Sequence, residues 1–89
     1  MKRLSIDKQL QNGWLLLYAI ETDDDITEEL ILAHLEETAE YITAVRSRKR
    51  LSLKQREKLS NLEKWYKLYD LKKLKQDVRR KGSKSYNQH

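Results

Sequence analysis

Residues 22–28 read Thr22-Asp23-Asp24-Asp25-Ile26-Thr27-Glu28, and the apolar residues that follow are Ile31, Leu35, Ala39, Ile42 and Val45. A string of acids directly before apolar residues spaced four, four, three and three apart is the signature of an amphipathic helix entered from a capped N-terminus. Asp25 and Glu28 have capping-box spacing, and carboxylates suit the positive end of the helix dipole. Leu30 and Tyr41 flank the stripe. Arg46, Arg48, Lys49 and Arg50 stand at the other end, where cations suit the negative pole. The segment begins acidic and ends basic, and it sets the reading of the chain as helical.

Working back from it, Ile6, Leu10, Trp14 and Leu17 repeat at helical spacing, so a helix is expected over about Leu4 to Ile20 with Ser5 as N-cap. Asn12-Gly13 is a turn-prone pair. Either the helix tolerates Gly13 at a cost of about 1 kcal/mol or it divides there into two short pieces. A strand over Trp14–Ile20 would have no partner strand. Working forward, Ser52-Leu53-Lys54-Gln55 is a second capping-box match. It opens a long helix expected to reach Lys81, about 29 residues, with Leu59, Leu62, Tyr66 and Tyr69 on one face and Trp65, Leu68, Leu71 and Val78 widening it. Arg79-Arg80-Lys81-Gly82 reads as a stop, with three cations in the last turn and a glycine suited to the position after the cap. Residues 83–89 have no apolar period and read as an extended tail. The expectation is an all-α fold: a small three-helix bundle over residues 1–82 with a long C-terminal helix, followed by a flexible or partner-docked basic tail over 83–89.

Composition narrows the field. The chain has 89 residues, no proline, no cysteine and two glycines. The absence of cysteine excludes disulfides, thiolate metal sites and a cysteine nucleophile. So few turn residues argue against a sandwich or barrel. The longest apolar run, Trp14–Ile20, is far short of the roughly 20 residues of a membrane span. Asp7, Lys8, Gln9, Gln11 and Asn12 interrupt the apolar region a signal peptide would need. We therefore expect a soluble, intracellular protein with no membrane partner. A chain this short has a thin core, about 60–65% of its unfolded surface being buried. Both tryptophans, Trp14 and Trp65, are expected in it. Tyr18, Tyr41, Tyr66 and Tyr69 add an aromatic load large enough to leave some rings exposed at an interface.

Charge is unevenly distributed. Residues 1–45 hold three basic and ten acidic groups, a net of −7, and residues 46–89 hold sixteen basic and four acidic groups, a net of +12. Such a dipole suits head-to-tail pairing with copies of itself, an acidic partner, or nucleic acid against the basic half. Folding of the two halves against each other neutralises only part of it. The acidic interface residues are Asp23, Asp24, Glu28, Glu36, Glu37 and Glu40. The basic contact residues, for nucleic acid or an acidic partner, are Arg46, Arg48, Lys49, Arg50, Lys54, Arg56 and Lys58, followed by Arg79, Arg80 and Lys81. Several phosphate contacts from these would make affinity strongly salt-dependent. The third helix is too long and too apolar for an ordinary recognition helix.

Sites for chemistry are sparse. His34 lacks a ligand partner at metal spacing, since position 31 is Ile and position 38 is Thr. Asp23-Asp24-Asp25 with Glu28 lacks the EF-hand glycine and terminal glutamate, so capping is the better account. Glu36, Glu37 and Glu40 have no apolar pocket to raise one pKa, and read as a solvated or partner-binding face. There is no phosphate loop and no nucleophile elbow. No enzyme activity, small-molecule substrate, cofactor or metal is expected.

The stretch Asp23-Asp24-Asp25-Ile26-Thr27-Glu28-Glu29-Leu30-Ile31-Leu32, leading to Glu37-Thr38-Ala39-Glu40-Tyr41-Ile42, resembles the head–tail connector (adaptor, head completion) proteins of tailed phages. So does Arg79-Arg80-Lys81-Gly82-Ser83-Lys84-Ser85-Tyr86 at the other end. The resemblance covers about half the chain in pieces. It implies a non-enzymatic virion assembly protein, built in the host cytoplasm, that forms a ring under the portal and extends the DNA channel. It also implies that Gly82, Ser83, Lys84, Ser85, Tyr86 and Asn87 dock on a neighbour or the portal. Two other classes stand beside it: a small basic DNA- or RNA-binding protein of the mobile-element regulator type, cytoplasmic, and a host-directed inhibitor or adaptor binding one protein.

Overall fold

The computed structural model describes the backbone of residues 4–87 and the side chains of residues 4–79. Four helices follow one another: α1 (Ile6–Thr22), α2 (Glu28–Arg46), α3 (Leu53–Tyr66) and α4 (Leu71–Asn87). The described residues contain no strand. The all-helical reading holds, and the count of three helices is corrected to four.

Local chemistry accounts for the boundaries. Ser5 caps α1, its Oγ accepting from the Lys8 N–H at 3.1 Å. The α1 helix runs unbroken through Gly13, so the alternative of two short pieces is not realised. Thr27 caps α2, its hydroxyl accepting from the Leu30 N–H at 3.2 Å. The Asp25–Glu28 capping box is therefore corrected. Asp25 stands outside the helix, donating its own N–H to Asp23 Oδ1 at 3.0 Å in a local turn. The Ser52–Gln55 capping box is complete: the Gln55 N–H donates to Ser52 Oγ at 3.1 Å, and the Ser52 N–H donates to Gln55 Oε1 at 2.9 Å.

The expected long third helix is split between Tyr66 and Leu71. The Leu68 and Tyr69 N–H groups donate to Trp65 and Tyr66 carbonyls in tight three-residue turns. Asp70 then starts a new helix, its Oδ1 accepting from the Lys73 N–H at 3.0 Å. Leu68 consequently lies 81% exposed and is no part of the apolar face assigned to it. The α4 backbone continues through Gly82 to Asn87, so the expected stop and the extended tail from Ser83 are also corrected over 83–87. A single glycine costs a helix only about 1 kcal/mol and does not by itself end one. Gln88 and His89 lie outside the described residues, as do Met1 to Arg3.

Two side-chain pairs fix the topology. Gln55 Nε2 donates to Asp7 Oδ1 at 3.2 Å near the starts of α3 and α1. The Tyr69 hydroxyl donates to Glu21 just past the end of α3 and near the end of α1. Hence α1 and α3 run parallel, with α2 antiparallel to both. Packing between them is a small cluster: Leu10 and Leu17 from α1, Leu35, Ile42 and Val45 from α2, Leu59 and Leu62 from α3. Leu71 and Leu74 bring α4 against that cluster, and α4 packs on α2. The radius of gyration is 15.5 Å, against about 12 Å for a compact chain of this length. The molecule is elongated, 56 × 27 × 20 Å, and its surface is large for its core.

Candidate functional site

The α2 helix has 19 residues and is about 28 Å long. It holds the acidic turn containing Asp23 and Asp24 at one end and the basic connection Arg48-Lys49-Arg50 at the other. Opposite charges thus stand at opposite ends of α2. Arg46, at the end of α2, pairs with Glu63 of α3 and ties the helices together. Arg48 is half-buried, and Lys49, Arg50, Lys54, Arg56 and Lys58 are exposed on the connection and α3. None of these six forms a salt bridge with another described residue. Arg79 is exposed on α4. Arg80 and Lys81 belong to the α4 backbone, as do Gly82, Ser83, Lys84, Ser85, Tyr86 and Asn87, and their side chains lie outside the described residues.

The acidic residues do not form one face. Asp23, Asp24 and Glu28 cluster at the start of α2, whereas Glu36, Glu37 and Glu40 line an open groove of about 570 Å³ farther along it. Gln9, Ala33, Tyr41 and Ala44 complete that groove. Lys75 of α4 approaches Glu36 to 3.8 Å at one edge, an exposed pair worth at most about 1 kcal/mol. The Tyr41 hydroxyl accepts from Asn12 Nδ2 at 3.3 Å. Gln9 is 8% exposed, and its Oε1 has no hydrogen-bond donor. A buried acceptor left in that state costs about 1–3 kcal/mol. Nearby, burial first and the Glu36 charge second push the Tyr66 phenol above its usual range.

A second concavity, about 540 Å³, lies between α1 and α3. Its α1 wall is Asp7, Leu10, Gln11 and Trp14, and its α3 wall is Lys58, Asn61, Leu62 and Trp65. Trp14 stacks on Tyr18 with ring centroids 5.0 Å apart, and meets Trp65 edge-on at 5.8 Å. The expectation that both tryptophans are core is corrected: Trp65 is half-buried and Trp14 is 48% exposed. Leu4, Leu15 and Tyr18 are exposed too, giving α1 an apolar outer face.

The carboxylates of the groove were legible in the sequence as a patch. The part played by Gln9 was not, because a glutamine beside Leu10 carries no signal of burial. The exposed α1 face had one signal: Leu15 and Tyr18 fall outside the stripe of Ile6, Leu10, Trp14 and Leu17. Among the described residues, no helix is long and apolar enough to cross a membrane.

No family model, curated protein or solved structure matches the chain.

Proposed function

We propose that this chain is a non-enzymatic assembly protein that works by associating with copies of itself and with a larger partner. The head–tail connector resemblance supports the specific form: a virion component that rings the DNA channel and binds the portal. The observation that carries the reading is the placing of opposite charge at opposite ends of α2. Patches of opposite sign on one protomer favour contacts between copies, which close into rings when the rotation allows. The small buried cluster and the exposed Trp14, Leu15 and Tyr18 support it as well, since they leave apolar surface on the single chain. Sedimentation velocity of the chain with and without a purified portal ring is the test. Co-sedimentation with the portal supports the connector form, and a chain that sediments apart from it removes that form.

A second reading, a small basic DNA- or RNA-binding protein, draws on the six cations from Arg48 to Lys58 that form no salt bridge with another described residue. It requires duplex binding with a steep salt dependence. No mobility shift at about 50 mM salt removes it.

A further inference from the structure

We propose that the groove lined by Gln9, Glu36, Glu37, Glu40 and Tyr41 is a receptor for the Arg48-Lys49-Arg50 connection of a second copy. The inference rests on the self-association reading above and names the two surfaces that meet. The groove sets three carboxylates, Glu36, Glu37 and Glu40, beside Ala33 and Ala44. Glu37 and Glu40 form no salt bridge with a described residue, and Glu36 is engaged only at its edge by Lys75. A ligand suited to this lining carries positive charge and several N–H groups, as a guanidinium does.

Two observations favour a row of side chains over a metal ion. The described residues include no group of three carboxylates or histidines placed to hold a metal. Glu36, Glu37 and Glu40 are instead spread along more than one turn of α2, beside Ala33 and Ala44.

The same chain carries the matching surface. Arg48, Lys49 and Arg50 are consecutive cations between two helices, without a carboxylate in salt-bridge range among the described residues. Ser47 ends α2, with its hydroxyl donating to the Ala44 carbonyl at 2.8 Å, and the chain then turns away to begin α3 at Leu53. None of the three cations forms a salt bridge with a carboxylate of their own groove. A second copy supplies what each surface lacks.

Charge reversal in two variants tests this. Glu37→Lys/Glu40→Lys makes the groove basic, and Arg48→Glu/Lys49→Glu/Arg50→Glu makes the connection acidic. Light scattering would read the mass of wild type, each variant alone, and their equimolar mixture at low salt. The expected result is association of wild type, loss of it in each variant, and its return in the mixture, where reversed surfaces face each other. An associating wild type whose variants still associate alone, or whose variants fail to associate when mixed, overturns the groove assignment and leaves self-association standing. A wild type that stays monomeric overturns both. Circular dichroism checks folding. Should half-buried Arg48 prove necessary for it, Lys49→Glu/Arg50→Glu serves in its place, with the same outcomes.

Discussion

Gly13 faces Leu62: a Cβ placed on Gly13 would lie 2.8 Å from Leu62 Cδ2. The Leu62 side chain thus occupies the space a Cβ at position 13 would need, which accounts for a residue that helix propensity alone disfavours. Gly13→Ala gains about 1 kcal/mol of propensity and meets overpacking of similar size, so its net effect on stability should stay within about 1 kcal/mol. With Leu62→Ala as background the clash is gone, and Gly13→Ala should stabilise by about 1 kcal/mol. Urea unfolding of the four proteins in this cycle measures the coupling. Additive effects would mean that the contact has no energetic consequence.

Asp70 caps the start of α4, its Oδ1 accepting from the Lys73 N–H. Asp70→Ala should cost about 1 kcal/mol. Hydrogen exchange should quicken in the first turns of α4 and change little in the Leu10–Leu17 portion of α1.

Leu35 is fully buried at the centre of the cluster. Leu35→Ala should cost about 2–5 kcal/mol. A domain this small has stability of only a few kcal/mol, so the variant should be largely unfolded by circular dichroism at 25 °C. An unchanged spectrum and melting curve would contradict the packing described.

Tyr69 is held protonated by burial, and then by its hydrogen bond to Glu21 and the charge of that carboxylate, which push its pKa from 10.0 to about 12. The folded state therefore holds this proton more tightly than the unfolded chain. The contribution is fully present below pH 10 and is lost as pH rises toward 12. Tyr69→Phe should show a shallower alkaline loss of stability, measured as the urea midpoint across that interval. Equal slopes for the two proteins would refute the link.

Gln9 should reveal its unmet acceptor on replacement. Gln9→Met keeps the side-chain length and removes the polar atoms, and should raise stability by about 1 kcal/mol. A loss of stability would show that the amide has a partner in solution.

Where a few neighbouring residues decide a feature, the sequence was readable. The Ser5 and Ser52 caps depend on a serine side chain and a backbone N–H three residues on, and both stand as expected. The split at Asp70 was hidden because the apolar spacing of Leu59, Leu62, Tyr66 and Tyr69 runs up to it without interruption. An aspartate three residues before Lys73 looked like ordinary surface. Trp14 shows a different difficulty. Its spacing from Leu10 placed it on the core stripe, but the stripe's edge is set by where α3 lies, a long-range matter decided at Gly13 and Leu62. The acidic groove was half legible: its carboxylates are consecutive turns of one helix, whereas Gln9 comes from another.

The mass of the wild-type chain in solution bears most directly on the proposed function. Sedimentation equilibrium across a range of concentration and salt should give multiples of 10.7 kDa at low salt, falling to the single-chain value as salt screens the opposed surfaces. A mass of 10.7 kDa at every concentration and salt would contradict the account.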